Sequence, residues 1–257
     1  MKYCTKVSRK VREGFNAKFA KRLLILNKKL TYCNLDFIDY KEAWDLQKSI
    51  FDLRYQEKID DVFLLLEHPH TYTLGKTADE KNLLGNEEYL NKNKISVYDI
   101  DRGGDITYHG PGQIVGYPII DLNNWGKDTH KYLRALEEII IRTCADYGLA
   151  VIRVPKFTGV WIDDRKIAAI GIKVSRWITM HGFALNVNTD LSLYKGIIPC
   201  GIINKEVTSL KKELNTEIDI QEVKSKILNH TIKIFGYSSI ETLNVENLLR
   251  KDVISIS

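Results

Sequence analysis

Two hydrophobic rhythms run along the chain, one with a repeat of about 3.6 residues and one with a repeat of two. Residues 40–58, YKEAWDLQKSIFDLRYQEK, put Ala43, Leu46, Ile50 and Leu53 on one face, the spacing of an amphipathic helix. DVFLLLE (61–67) is a short apolar run stopped by His68-Pro69 and predicts a buried strand. ISVYDID (95–101) predicts another. QIVGYPIIDL (113–122) is strand-like, but Pro118 has no ladder donor, which predicts an edge strand or a bulge. The strongest helical pattern is DTHKYLRALEEIIIRTCADYGL (128–149), with Asp128 or Thr129 to cap it and Gly148 to stop it. LAVIRV, GVWIDD and RKIAAIGIKVS follow, and Asp163-Asp164-Arg165 turns the last two into a hairpin. A further strand is expected over 178–188 and a final helix over 219–236. No repeat or low-complexity linker interrupts the pattern, so one domain with a mixed sheet and flanking helices is expected.

Composition changes this picture only at the N-terminus. The chain has 257 residues and a formal charge of +5, but residues 1–34 hold ten Lys/Arg against one acid, Glu13, leaving −4 for the remainder. The basic character therefore belongs to an N-terminal arm and not to the body, which removes most of the case for nucleic-acid binding by the whole chain. A packing arm, an organelle transit peptide and a nucleic-acid or membrane-surface arm remain open for residues 1–34. No run of about 18 apolar residues predicts a membrane span, and no secretory h-region follows Met1. The four cysteines, Cys4, Cys33, Cys144 and Cys200, are scattered, without zinc spacing, as in a reduced intracellular protein. A cytoplasmic location is expected, with mitochondrion or plastid as the alternative if the arm is a transit peptide.

Four stretches carry candidate chemistry. RGGDITYHGPGQIVG (102–116) holds five of the sixteen glycines, and Arg102 and His109 add polar groups to it. Glycine allows close backbone approach to a ligand, although a tight strand-to-strand loop has the same composition. Neither the G-K-[ST] phosphate loop nor the dinucleotide pattern is present there. DRKIAAIGIKV sets Lys166 just after a turn, where a lysine is ordinarily solvated. Lys173 lies seven positions on, and on a regular strand that odd offset points the two to opposite faces. MHGFALN (180–186) interrupts a strand with His181-Gly182, the mark of a close backbone approach or of a core histidine beside a bulge. IIPCG places Cys200 between Pro199 and Gly201, where a sharp turn can expose a thiol that would otherwise pack as a small apolar residue.

These stretches occur in a specific order. RGGDITYHGPGQIVGYPIIDL, GVWIDDRKIAAIGIKV, HGFALNVNTDL, IIPCGI and VTSL, together with EHPHTYTLGK (67–76), resemble the blocks of the lipoyl(octanoyl) transferase family. The resemblance runs from about Leu35 to Leu210, with lysine and cysteine 34 positions apart as in that family. It implies a single α/β (α+β) domain of the biotin/lipoate protein ligase kind, residues 35–257, with a mixed, largely antiparallel sheet flanked by helices. The implied activity is octanoyl transfer from octanoyl-acyl carrier protein to a specific lysine of lipoyl domains in 2-oxoacid dehydrogenases and the glycine cleavage system. It implies Cys200 and Lys166 as a catalytic pair. The acyl-binding segments fall on Arg102, Gly103, Gly104, Asp105, Ile106, Thr107, Tyr108 and His109, on Ala169, Ile170 and Gly171, and on Gly182, Phe183 and Ala184. No cofactor, metal, nucleic acid or membrane is implied.

The chemistry agrees with this assignment. A thiolate attacking a thioester makes another thioester with little loss of energy. Free cysteine has a pKa of about 8.5, so an ammonium nearby raises the thiolate fraction at neutral pH, and a partly buried lysine can also take the proton from the incoming acceptor amine. Should Lys166 only pack or bind the acyl carboxyl, His109 and His181 stand as alternative activating bases. An ATP-dependent lipoate ligase of the same fold would use Lys166 against an acyl phosphate and would not need Cys200. A non-catalytic acyl- or nucleic-acid-binding protein is the remaining alternative.

Overall fold

The computed structural model describes residues 28–199 and 206–254. Cys4, Cys200 and most of the basic arm lie outside the described residues. In chain order the elements are β1 (Lys29–Phe37), α1 (Tyr40–Tyr55), β2 (Asp61–Glu67), β3 (Thr71–Leu74), α2 (Glu87–Lys92), β4 (Ser96–Asp99), β5 (Thr107–His109), β6 (Gln113–Ile119), α3 (Thr129–Ala145), β7 (Ile152–Val154), β8 (Phe157–Ile162), β9 (Arg165–Ser175), β10 (Ile178–Asn186), β11 (Glu206–Val207), α4 (Leu210–Leu214), α5 (Ile220–Phe235), β12 (Ser239–Thr242) and α6 (Val245–Ile254).

The main sheet runs β12-β1-β2-β6-β10-β9-β8-β7, with β11 paired to β9. It is parallel at the β12-β1-β2 end and antiparallel from β2 onward, except where β11 joins β9. A small sheet, β4-β3-β5, stands beside it. The expected helices over 40–58, 128–149 and 219–236 form as α1, α3 and α5, because each has both an apolar stripe and a cap. The side chains of Asp39, Asp128 and Asp219 accept first-turn N–H groups. Gly148 and Gly236 follow the last two with φ of +75° and +73°. Leu136, Ile139 and Ile140 of α3 and Val223 and Ile227 of α5 bury against Phe63, Ile114 and Leu185 on one face of the sheet. On the other face α1 packs Ala43 and Ile50 against Leu64, Val115 and Tyr117.

Two expectations are corrected. The boundary after residue 34 falls inside β1, where Leu30 and Cys33 are fully buried. That strand lies between β12 and β2, and its burial depends on strands distant in sequence. Pro118 is also not on an edge: β6 is buried along its whole length between β2 and β10. The β6–β10 ladder instead stops at the Gly116–Phe183 pair. Two residues further in that register, Pro118 would oppose His181. His181 has a φ of +58°, and its N–H donates to Gln47 Oε1 at 2.8 Å instead of to the ladder. The missing donor and the left-handed residue thus occupy the same break.

Candidate active site

The break in the ladder opens onto a floor without side-chain bulk. Ala169 pairs with Ala184 and Gly171 with Gly182 across β9 and β10. Partners in register share a face, so these four leave a shallow lane of backbone and methyl groups. Val115 and Tyr117 of β6 flank it, and the loop from Asp101 to Asp105 covers it. Gly103 N–H donates to Ile172 O at 2.9 Å, which ties that loop to β9. The Arg102 guanidinium donates to Thr73 O and Thr73 Oγ1 at 2.8 and 2.9 Å. Gly171 makes this approach feasible: a Cβ there would lie 2.8 Å from Arg102 Cδ and 3.0 Å from Gly103 O. Thr77, beyond β3, joins the wall, and its N–H donates to Gly104 O at 3.2 Å.

The resulting cavity has a volume of about 500 Å³, within the usual range for small-ligand pockets. All the expected acyl-binding residues line it except Ile106 and Tyr108. Those two are fully buried in the core of the small sheet with Tyr72 and Tyr194. The period-two alternation of β5 and its approach explains the split: Thr107 and His109 face the cavity while Ile106 and Tyr108 turn away. The cavity also takes Tyr40, Leu133, Lys156 and Phe157, which no motif singled out. Val115 and Tyr117 were readable as same-face strand neighbours, and Asp101 as the residue just before the glycine loop. Tyr40 opens a helix and left no such signal.

Lys166 lines this cavity and is 6% exposed. Its Nζ lies 4.8 Å from the centre of the Trp161 ring. The regular-strand expectation that Lys166 and Lys173 face opposite ways does not hold. Val160 pairs with Ala168, but Trp161 pairs with Lys166, leaving Ile167 as an extra residue. That bulge reverses the alternation and brings Lys166 to the side of Ala169, Gly171 and Lys173. Lys173 forms an ion pair with Asp101 at 2.5 Å and serves the cover loop. Strand β11 begins just after residues 200–205 and sets Val207 beside Lys166, where Thr208 N–H donates to Lys166 O at 2.9 Å.

Two buried histidines, His109 and His181, line the cavity and a third, His68, packs behind His109, each with different partners. His68 joins Ile38 O and Tyr117 Oη, both at 2.8 Å, and burial pushes its pKa down to about 4. His181 meets Asp101 Oδ1 through Nε2 at 2.9 Å. The hydrogen bond from His181, with Lys173 beside it, holds the Asp101 carboxyl well below the usual range. Burial lowers His181 itself, against the pull of Asp101. Its Nδ1 is sealed and without a partner. His181 is therefore tied down at one nitrogen and closed off at the other, and its left-handed backbone is strain held by this network. His109 is stacked on Tyr40, with ring centres 5.7 Å apart, and meets Gln113 Oε1 through Nδ1 at 2.8 Å. Burial, with His68 next to it, keeps it far below the usual imidazole pKa.

The site is thus a mixed sheet carrying an open lane, a covering glycine loop and a buried lysine. The chain matches the lipoyl protein ligase A/B catalytic domain over residues 39–232 and belongs to that family. It is 52% identical over 227 residues to the octanoyltransferase of Christiangramia forsetii, covering 82% of this chain and 97% of that protein. It is 44% identical over 221 residues to the octanoyltransferase of Caldicellulosiruptor bescii, covering 85% and 96%. Among solved structures it resembles lipoate-protein ligase A bound with ATP, with a TM-score of 0.66 and 15% identity over 89% of this chain and 94% of that one. A bi-partite lipoate protein ligase from Thermoplasma acidophilum superposes with a TM-score of 0.64 and 14% identity over 90% and 92%. At such identities the structural likeness establishes the fold alone.

Proposed function

We propose that the chain is an octanoyltransferase: it takes an octanoyl group from octanoyl-acyl carrier protein as a thioester on Cys200 and passes it to a lysine of a lipoyl domain. The observation that carries this reading is the high identity to octanoyltransferases over nearly their full length. Lys166, buried at the end of a lane bare of side chains, supports the chemistry. Its ammonium stabilises the Cys200 thiolate, which attacks the donor thioester and expels the carrier's thiolate. The eight-carbon chain lies over Ala169, Gly171, Gly182 and Ala184, where an apolar chain meets methyl groups and backbone without a steric stop. Connectivity favours the pairing, since the strand that follows the cysteine segment joins β9 at Lys166.

Intact-mass spectrometry after incubation with octanoyl carrier protein, without ATP, tests the reading. One octanoyl adduct is expected, absent from Cys200→Ser. Activity that requires ATP and free octanoate, with no adduct, would instead identify a ligase using the same fold.

A further inference from the structure

The lane proposed for the acyl chain is bare on two strands and blocked on the third. Ala169, Ala184 and Val115 form one row across β9, β10 and β6. Two residues further along, Gly171 and Gly182 stand in the row that Tyr117 continues in that register, so a floor of backbone and methyl groups ends against a phenol ring. We infer that Tyr117 is the stop for the methyl end of the acyl group and sets the longest chain that the site accepts. The direction of the chain rests on the proposed thioester at Cys200 beside Lys166.

Along β9, Lys166 comes before Ala169 and Gly171, so a chain whose carbonyl is held near Lys166 passes over Ala169 first. Two continuations are then possible. Straight on along β9, past Gly171, stands Lys173, ion-paired with Asp101 of the cover loop. The described residues that line the cavity include neither Lys173 nor Asp101. Across the sheet stand Val115, Tyr117 and Tyr40, and all three line it. On the first path an apolar chain would take water from an ion pair and give it no partner in return. On the second it meets carbon. The methyl end therefore lies toward β6, against Tyr117.

A stop must also hold its place, and Tyr117 is held at both its hydroxyl and its ring. Ile38 O is a carbonyl and only accepts, so His68 Nδ1, 2.8 Å from it, carries the hydrogen. Burial keeps this imidazole neutral at physiological pH. Its Nε2 therefore holds the lone pair, and the Tyr117 hydroxyl donates to it at 2.8 Å. The Tyr117 ring lies between His68, with centres 5.9 Å apart, and His181, with centres 6.3 Å apart and the planes at 84°. His181 cannot yield easily, because its ring is bound to Asp101 and its N–H to Gln47. Swinging the Tyr117 ring aside would break a buried hydrogen bond and leave His68 Nε2 unpaired. With the hydroxyl engaged by His68, Tyr117 offers the chain ring carbon.

Rates of acyl-enzyme formation from hexanoyl, octanoyl, decanoyl and dodecanoyl carrier proteins, followed by intact mass, test the inference. In Tyr117→Leu the ratio of the decanoyl to the octanoyl rate is expected to rise at least about tenfold over wild type, the lower end of what one methylene is worth in an apolar pocket. Tyr117→Met carries the same expectation if the leucine variant does not fold. Tyr117→Phe keeps the ring and loses only the hydroxyl, and its length ratio is expected to match wild type even if its stability falls. An unchanged ratio in Tyr117→Leu, with all lengths slowed alike, would make Tyr117 a packing residue only and overturns the inference. A shift as large in Tyr117→Phe overturns it too, by assigning the length to the hydrogen bond. A wild-type enzyme that forms no adduct with any length overturns the thioester reading instead. Calorimetric binding of the four free acids to wild type and Tyr117→Leu then decides the stop by itself: a shift toward the longer acids supports it, and no shift overturns it.

Discussion

At the scale of single residues, the site depends on what is missing as much as on what is present. Gly171 sits below Arg102 with no room for a Cβ. Gly171→Ala must push the cover loop outward, because one of the two close atoms is the backbone carbonyl of Gly103. A raised KM for octanoyl carrier protein with a smaller change in kcat is expected, with a stability loss of about 1–3 kcal/mol typical of overpacking; steady-state kinetics and thermal unfolding read both. Lys166→Ala is expected to raise the pH midpoint of Cys200 alkylation by iodoacetamide toward the free value of about 8.5. Each unit of that rise costs about tenfold in thiolate at neutral pH. The remaining thiolate gains nucleophilicity with a slope of only about 0.4–0.5, so the loss prevails and acylation slows, with partial rescue at high pH. An unchanged midpoint would remove Lys166 from the thiolate. Cys144 should make no contribution, since burial pushes its thiol up to about 12.

At the scale of elements, β1 changes what the N-terminal segment means. The strand is hydrogen-bonded to β2 along its length and to β12 at its start, with Leu30 and Cys33 in two different cores. Two truncations separate the basic segment from the strand. Removal of residues 1–27 is expected to leave turnover of the purified enzyme near wild type at moderate salt. Removal of residues 1–34 takes away Leu30, worth about 1.5–3 kcal/mol of burial, and Cys33. It also takes the backbone partners of Val62, Phe63 and Leu64, and a lower Tm with loss of expression as a folded protein is expected. Equal stability of the two truncations would show that β1 is dispensable.

At the scale of the whole molecule, burial of neutral histidines makes the fold sensitive to mild acid. His68 binds a proton near pH 4 in the fold and near 6.5 when unfolded. Between these values the unfolded chain binds more protons, so stability falls as the pH drops from about 6.5 toward 4. His109 and His181 are displaced in the same direction, each adding up to about 1.4 kcal/mol per pH unit where it titrates only in the unfolded chain. Asp61, raised by burial, acts in the opposite sense. Urea unfolding at pH 7 and pH 5 is expected to show lower stability at pH 5, with a smaller difference in His68→Gln. An identical difference in the variant would assign the effect to other groups.

The periodic helices, their aspartate caps, the hairpin after Ile162 and the residues of the glycine loop were all legible along the chain. Each depends on neighbours within a few positions, and so did the lysine and the histidines as chemical types. Their use was decided in three dimensions. Whether Lys166 shares a face with Gly171 turns on one extra residue, Ile167, in the register with β8. Whether Pro118 is tolerated in a central strand turns on His181 leaving the ladder opposite it. The places of Asp101, Lys173 and His181 follow from partners 72 to 80 residues apart. Local pattern specifies which residues can form an element. Register and face are set by contact with strands that the local pattern does not contain.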